Sequence, residues 1–373
     1  MSFAKACIGL SLVLTPFMSM GQQSWTIGSF ARPTSTPVIT PDSRSVFFDS
    51  LAQTTVHWEY TSTFNPAAVV RDGSIYILYR AEDDSGEMKI GGHTSRLGLA
   101  STEDGIHFVR RPSPVFFAAD DEQKDREWPG GVEDPRIVES EDGTYVLTYT
   151  QWNHKSTGIG IATSKDLIHW TKHGPVFSKS DLPAYHSYKS GGIVTQLIGG
   201  RLIAARIKAK YWMYWGEVEI HLATSSDLIH WEAVNDTHGD PVTVLKQRPG
   251  LFDSGFPEVG PPPVLTAKGI VLLYNGKNDA NHGAPELDPG AYSVGQALFS
   301  ANNPSQLLER TKEPFLKPQL PFEKSGQYVT GTTFAEGLVF FKKKWFLYYG
   351  CADSLVGVAV TTGPSGSSPI HTP

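Results

Sequence analysis

Three closely related turns recur along the chain: Ser101-Thr102-Glu103-Asp104-Gly105-Ile106-His107-Phe108, Ser164-Lys165-Asp166-Leu167-Ile168-His169-Trp170 and Ser225-Ser226-Asp227-Leu228-Ile229-His230-Trp231. Their histidines are 62 and 61 residues apart. So regular a spacing requires one supersecondary unit to be copied, each copy burying its apolar face against the next. Each turn lies downstream of a strongly apolar run: Ile75 to Ala81, Tyr145 to Gln151 and Leu202 to Ile207. Two more such runs follow, Ile270 to Gly276 and Trp345 to Cys351. With Tyr79, Tyr149, Ala205, Tyr274 and Tyr349 as equivalent positions, the intervals are 70, 56, 69 and 75 residues, which makes five units.

Units of this length, built from short strands without helical periodicity, predict an all-β fold, a five-bladed β-propeller. A β-helix would need a much shorter period, and a sandwich gives no reason for five equivalent strands. Asp72-Gly73, Asp142-Gly143 and Gly199-Gly200 stand just before apolar strands and predict tight hairpin turns. The composition supplies the material: Gly 36 and Pro 26 for turns, and 11% aromatic residues for a core. A net charge of -6 without a basic stripe gives no electrostatic reason to expect nucleic acid or an anionic membrane. The expected partner is neutral.

The N-terminus differs in character. Lys5, the apolar run Cys7 to Met18 and the small or polar residues Ser19 to Gln23 predict a secretory signal over 1–21, too short to span a bilayer stably. The rest, 22–373, is expected to be one propeller domain that is secreted or periplasmic, with no integral membrane segment. Only Cys351 would remain, so no disulfide framework is expected.

The repeated turns themselves read as architecture. Their aspartates can bond backbone donors while Phe108, Trp170 and Trp231 pack between units, so His107, His169 and His230 are not candidate catalysts. No metal-ligand spacing occurs elsewhere, and no cofactor is predicted. Chemistry is expected instead where inner strands converge. Arg80, in the apolar run Ile75 to Arg80, needs a buried partner or a ligand. Glu133-Asp134-Pro135-Arg136 opens the second unit; in an extended segment it would show one carboxylate to the channel and turn the other away. Either an acid catalyst or a turn salt bridge with Arg136 would fit.

Several segments together resemble glycoside hydrolase family 130, five-bladed propellers acting on β-mannosides. They are Phe64-Asn65-Pro66-Ala67-Ala68, Leu78-Tyr79-Arg80-Ala81-Glu82, Ser95 to Ala100, Gly131 to Arg136, Gly260-Pro261-Pro262-Pro263 and Tyr348 to Asp353. The resemblance implies that Asp134 is the general acid, acting through the mannose 3-hydroxyl. It implies that Asn65, Arg80 and Asp353 hold the terminal mannosyl unit and that Tyr292 faces the same pocket. Arg136, within the acid's motif, joins this substrate-binding set. Lys189 and Arg206 fall in the blade that helps build the pocket, with Lys208 to Glu217 reading as an insertion.

Two departures from the family pattern carry weight. Most described members are phosphorylases, with a lysine before the Gly-Pro-Pro segment and a histidine after the following Leu-Leu-Tyr, both serving phosphate. Here those places hold Glu258 and Asn275, and Asn275 is counted with the substrate-binding set. A carboxylate repels a dianion but can activate water. Glu217 adds a second acid, with Trp212, Tyr214 and Trp215 as a possible sugar platform. This combination resembles the branch that hydrolyses β-1,2-mannosidic linkages. The expected reaction is exo-acting, single-displacement hydrolysis of mannose-containing oligosaccharides, Asp134 as acid and Glu217 or Glu258 as base. The alternatives are a phosphorylase and a glycan-binding propeller without activity.

Overall fold

The computed structural model describes residues 23–87, 89–178 and 188–362; the expected signal segment lies outside them. The described chain is nearly all β-sheet, helical only over Lys124–Glu127 and a 3-10 turn at Pro321–Glu323. Its strands form successive antiparallel meanders in a propeller-like arrangement. The first comprises Ser62–Arg71, Ser74–Glu82, Ser95–Thr102 and Val109–Arg110. The second comprises Gly131–Glu139, Tyr145–Trp152, Thr157–Ser164 and Thr171–Pro175. Gly191–Ile193, Lys210–Trp215, Ile220–Ser225 and Trp231–Ala233 follow. Phe256–Val259 and Val264–Thr266 then both pair with Gly269–Lys277, which pairs in turn with Tyr292–Phe299. The last unit is Thr333–Phe341, Lys344–Cys351 and Leu355–Thr361, and its outer edge is completed by Phe30–Ala31 from far upstream.

Turn chemistry explains the hairpins. Asp72 and Gly73 have φ of 48° and 77° and link Arg71 to its partner Ser74, the two-residue turn whose twist matches paired strands. Gly199-Gly200 does the same between Ile198 and Arg201. Asp142-Gly143 does not: Glu139 pairs with Tyr145, so the loop is longer and Asp142 accepts from Ser140 and Thr144 instead. Lys342-Lys343 and Lys208-Ala209 adopt positive φ at tight turns without glycine, which sequence signals miss.

The third unit corrects the sequence reading. Lys208 to Glu217 is not an insertion; it contains the strand Lys210–Trp215, paired on both sides. The fully buried Tyr214 on that strand, rather than Ala205, occupies the place of the repeated tyrosines.

Those tyrosines share one device. Tyr79, Tyr149, Tyr274 and Tyr349 each lie opposite a glycine: Gly98, Gly160, Gly295 and Gly357. A Cβ at any of the four would come within 2.8 Å of the facing ring, so the ring lies flat only over glycine. Each hydroxyl donates to a buried carboxylate: Glu59 at 2.8 Å, and Glu127, Asp253 and Glu323 at 2.7 Å. Each carboxylate also meets a cation: Arg110, Lys172, Arg248 with Arg310, and Arg32 respectively. Tyr214 donates instead to the carbonyl of Pro304. The Asp-Leu-Ile-His-Trp turns are architectural, as expected. Asp166 accepts from the backbone of Ile168 and His169, Asp227 repeats this, and the three histidine side chains are 56–86% exposed.

Candidate active site

The inner strands converge on a pocket of about 300 Å³. Its floor is made by two proline-centred bulges. In Ser62–Arg71 the register slips between Phe64 and Ala67, and in Gly131–Glu139 between Glu133 and Arg136. Pro66 and Pro135 cannot donate to the ladder, and the residues before them, Asn65 and Asp134, both take φ of 46°. Asparagine and aspartate tolerate this left-handed region better than most side chains. The bulge corrects the extended reading of the acid pair: Glu133 and Asp134 both line the pocket. Gly350 makes room for Asn65, since a Cβ there would lie 2.0 Å from Asn65 Oδ1.

Asp134 is held from several sides. Asn65 Nδ2 donates to its Oδ1 at 2.8 Å and Arg80 Nη1 at 3.1 Å, while Lys189 Nζ lies 3.9 Å from Oδ2. Burial by itself would raise this carboxyl, but Arg80, Lys189 and the Asn65 hydrogen bond outweigh it and hold it low. Glu133 moves the opposite way, up from its ordinary value, through burial and the adjacent Asp134 charge, against the pull of Arg80. Arg80 therefore has its buried partners, Glu82 at 2.6 Å and Glu133 at 2.7 Å, and lines the pocket as well. Strand alternation puts Arg80 and Glu82 on one face.

Lys189, Glu217 and Glu258 also line the pocket. Glu258 is 3% exposed and accepts from Ser190 Oγ at 2.5 Å. Burial, with Glu217 reinforcing and Lys189 opposing, pushes its carboxyl up to about 7. Glu217 is more open, its side chain 28% exposed, with Lys189 Nζ at 4.0 Å. Lys189 thus bridges Asp134 and Glu217, whose carboxylates lie no more than about 8 Å apart. Asp353 completes the acids; burial, opposed by Arg80 and reinforced by Asp134, raises it to about 6. Tyr292, packed edge-on against Tyr328 and Phe334 at 5.6 and 5.7 Å, gives the pocket an aromatic wall.

Three expected residues lie elsewhere. Arg206 is exposed, stacked 4.1 Å over Tyr211 and bonded to the carbonyls of Ala209 and Ser226, because it sits beside the tight Lys208-Ala209 turn. Asn275 is fully buried and clamps the backbone of Ala335 in both directions, a link between units. Arg136 lies beneath the pocket rather than in it. Its guanidinium donates to the carbonyls of Asp134, Val259 and Gly260 and stands 3.0 Å from the buried Glu336. It ties the strand of Asp134 to that of Glu258. Nor do Trp212, Tyr214 and Trp215 form a platform: none lines the pocket, and the last two are completely buried.

Other lining residues escaped the sequence reading: Glu82, Glu133, Phe64, Trp152, Gln327 and Tyr328. Glu82 was findable from its spacing of two from Arg80. Gln327 and Tyr328 come from a loop that carries no motif.

With this geometry in place, comparison with known proteins is specific. The family model described as beta-1,4-mannooligosaccharide phosphorylase, glycoside hydrolase family 130, matches residues 37–363. A 1,2-beta-oligomannan phosphorylase of Thermoanaerobacter sp. (strain X514) is 33% identical over 306 residues, 81% of this chain and 90% of that protein. A beta-1,2-mannobiose phosphorylase of the same organism is 28% identical, with 81% and 91% covered. One solved structure superposes with a TM-score of 0.90 at 49% identity, covering 94% of this chain and 98% of the other. It is described with the finding that the GH130 family of mannoside phosphorylases contains glycoside hydrolases that target beta-1,2 mannosidic linkages in Candida mannan. A glycosyl hydrolase from Bacteroides ovatus gives a TM-score of 0.89 at 48% identity, with 94% and 98% covered. The chain belongs to glycoside hydrolase family 130.

Proposed function

We propose that the protein is an exo-acting, inverting β-mannosidase that hydrolyses β-1,2-linked manno-oligosaccharides, working outside the cytoplasm as a five-bladed propeller over 22–373 after removal of residues 1–21. The observation that carries this reading is the charge of the pocket. Glu82, Glu133, Asp134, Glu217, Glu258 and Asp353 line it against Arg80 and Lys189 among the described residues. Such a site repels a phosphate dianion and accepts a neutral sugar. The solved structure at 49% identity supports the same choice.

In this scheme the terminal mannosyl unit sits against Tyr292, held by Asn65, Arg80 and Asp353. Asp134 serves the leaving oxygen through the sugar's 3-hydroxyl; the cations hold it ionised before the sugar binds, so it takes up its proton with the sugar in place, while the raised Glu133 is the carboxyl that keeps a proton near neutrality. Glu258, held by Ser190 and close to neutral in its titration, takes the proton from the attacking water, and Glu217 orients that water.

The second reading is phosphorolysis, and the curated relatives, phosphorylases by name, favour it over hydrolysis. Lys189 gives it a physical basis, since its ion pairs of 3.9 and 4.0 Å are loose enough to turn toward an anion. Turnover of β-1,2-mannobiose with and without phosphate separates the two. Mannose as product in phosphate-free buffer supports hydrolysis; mannose 1-phosphate formed only with phosphate overturns it.

A further inference from the structure

Behind the aromatic wall of the pocket stands a cation that the catalytic scheme does not use. Lys277 ends the strand Gly269–Lys277, opposite Phe256 on one neighbouring strand and Tyr292 on the other. Its ammonium lies 5.3 Å from the ring centre of Phe256, 5.5 Å from that of Tyr292 and 5.9 Å from that of Tyr328. Among the described residues it makes neither an ion pair nor a hydrogen bond. Two acids that follow it in the chain are engaged elsewhere, Asp279 with the backbone of Asn281 and His282, and Asp288 with Lys324 at 3.5 Å. A lysine ammonium is a strongly hydrated point charge, and a half-buried one needs compensation for the water it gives up. Here three rings supply it, each attracting the charge through its quadrupole.

The cage joins three parts of the site. Phe256 begins the strand that carries Glu258, Tyr292 begins the strand Tyr292–Phe299, and Tyr328 belongs to the loop that also brings Gln327 to the pocket. The rings touch one another as well, Phe256 against Tyr292 at 6.0 Å and Tyr292 against Tyr328 at 5.6 Å. Little else fixes them. The hydroxyl of Tyr328 donates to Gly290 O at 2.8 Å, whereas that of Tyr292 has no hydrogen-bond partner among the described residues, so its ring is placed by packing and by the cation. Of the four residues only Tyr292 and Tyr328 line the pocket; Lys277 and Phe256 do not. The ammonium can therefore hold the wall without touching what the wall receives.

We propose that Lys277 is a positioning residue: through its cage it fixes the rings of Tyr292 and Tyr328 against the terminal mannosyl unit, and so sets how tightly the sugar is held rather than how fast its bond is cut. The proposal rests on the β-mannoside reading but holds for hydrolysis and phosphorolysis alike, since both bind the same terminal sugar. The test is kcat and KM on β-1,2-mannobiose, in buffer containing phosphate so that either reaction can run, for the wild type, Lys277→Met, Lys277→Arg and Phe256→Leu. The Kd of the disaccharide is read separately in the Asp134→Asn background. Lys277→Met keeps the apolar stem and loses the charge, so KM and Kd should rise about three- to tenfold while kcat stays within about twofold. Lys277→Arg, whose guanidinium also stacks on rings, should recover most of that loss. Phe256→Leu removes one ring of the cage from outside the pocket and should raise KM in the same way, so the outcome does not hang on the folding of a single variant. KM and Kd unchanged in Lys277→Met, or raised as far in Lys277→Arg, overturn the proposal, as does a fall in kcat at unchanged KM. Failure of the β-mannoside reading looks different: the wild type itself neither binds nor turns over the disaccharide, and the proposal falls with it.

Discussion

The molecule buries carboxylates in two places and treats them in opposite ways. In the tyrosine networks between strands, Glu59, Glu127, Asp253 and Glu323 each have a tyrosine donor and at least one cation of their own. In the pocket, six acids share Arg80 and Lys189. A balanced buried pair is structural, because removing either partner strands the other. An unbalanced cluster lowers stability unless a ligand or a bound proton relieves it, and it pushes neighbouring carboxyls apart in their titration. Residue type does not separate the two regions; the local count of cations does.

The comparison can be broken most directly at Asp134. Asp134→Asn should lower turnover of β-mannosides by about 10²–10⁴-fold while leaving the fold intact; an active variant would remove Asp134 as the acid. Glu258→Gln should follow with a loss of about 10²-fold, and Glu217→Gln should also be impaired. The wild-type pH profile should be a bell centred near 7 if the proposed scheme holds, with Glu258 losing its proton at about 7 and the Glu133–Asp134 pair keeping one. Glu258→Gln should abolish the acid limb, and Glu133→Gln should shift the alkaline one. An unchanged profile in both variants would contradict these roles.

Stability should move in opposite directions in the two regions. Glu127→Ala leaves the Tyr149 hydroxyl without its acceptor and Lys172 with Asp121 alone, and should cost about 2–3 kcal/mol in denaturant unfolding. The folded state of Glu258 binds its proton more tightly than the unfolded chain does, so its contribution to stability falls as pH rises from the ordinary carboxylate range to about 7. Glu258→Gln should therefore raise the melting temperature at pH 9 and do little at pH 4. A lower melting temperature at pH 9 would place Glu258 with the balanced group.

Arg136 lies between the two classes, structural in its bonds yet touching both the strand of Asp134 and that of Glu258. Arg136→Lys keeps a charge beside Glu336 but loses the fork to Val259, Gly260 and Asp134, and kcat should fall about tenfold with KM little changed. The smallest effect is expected at His169. Its side chain is 86% exposed, and His169→Ala should alter stability by less than about 0.5 kcal/mol and activity not at all.

Much of this was legible in the sequence, and the reasons for the exceptions are physical. Repeated turns and Asp-Gly or Gly-Gly pairs encode local backbone conformation, so the strand-and-turn architecture could be read directly. Asn65, Arg80, Asp134, Lys189, Glu217, Glu258, Tyr292 and Asp353 all face one pocket because motif residues at strand ends converge there. Arg136 and Asn275 carry the same polar character but lie one layer deeper, where they bond backbone carbonyls, and depth is not written in a motif. Arg206 was misplaced because Ala205 stood in for Tyr214, and the lysine-containing tight turn before Tyr214 gave no glycine to reveal the hairpin. Glu133 was misread because an extended chain alternates its side chains, whereas a proline bulge does not.

The pairing of Phe30–Ala31 with Leu355–Thr361 also constrains how the molecule comes into being. Segments more than three hundred residues apart in the chain must meet before the final sheet has both its edges. Contacts of such sequence separation form late, after local hairpins have reduced the chain entropy that opposes them. A nascent chain can therefore assemble its early meanders as they emerge, but Phe30–Ala31 keeps an unpaired strand edge exposed until Leu355–Thr361 has been made. That interval is when the protein is most open to mispairing with another copy.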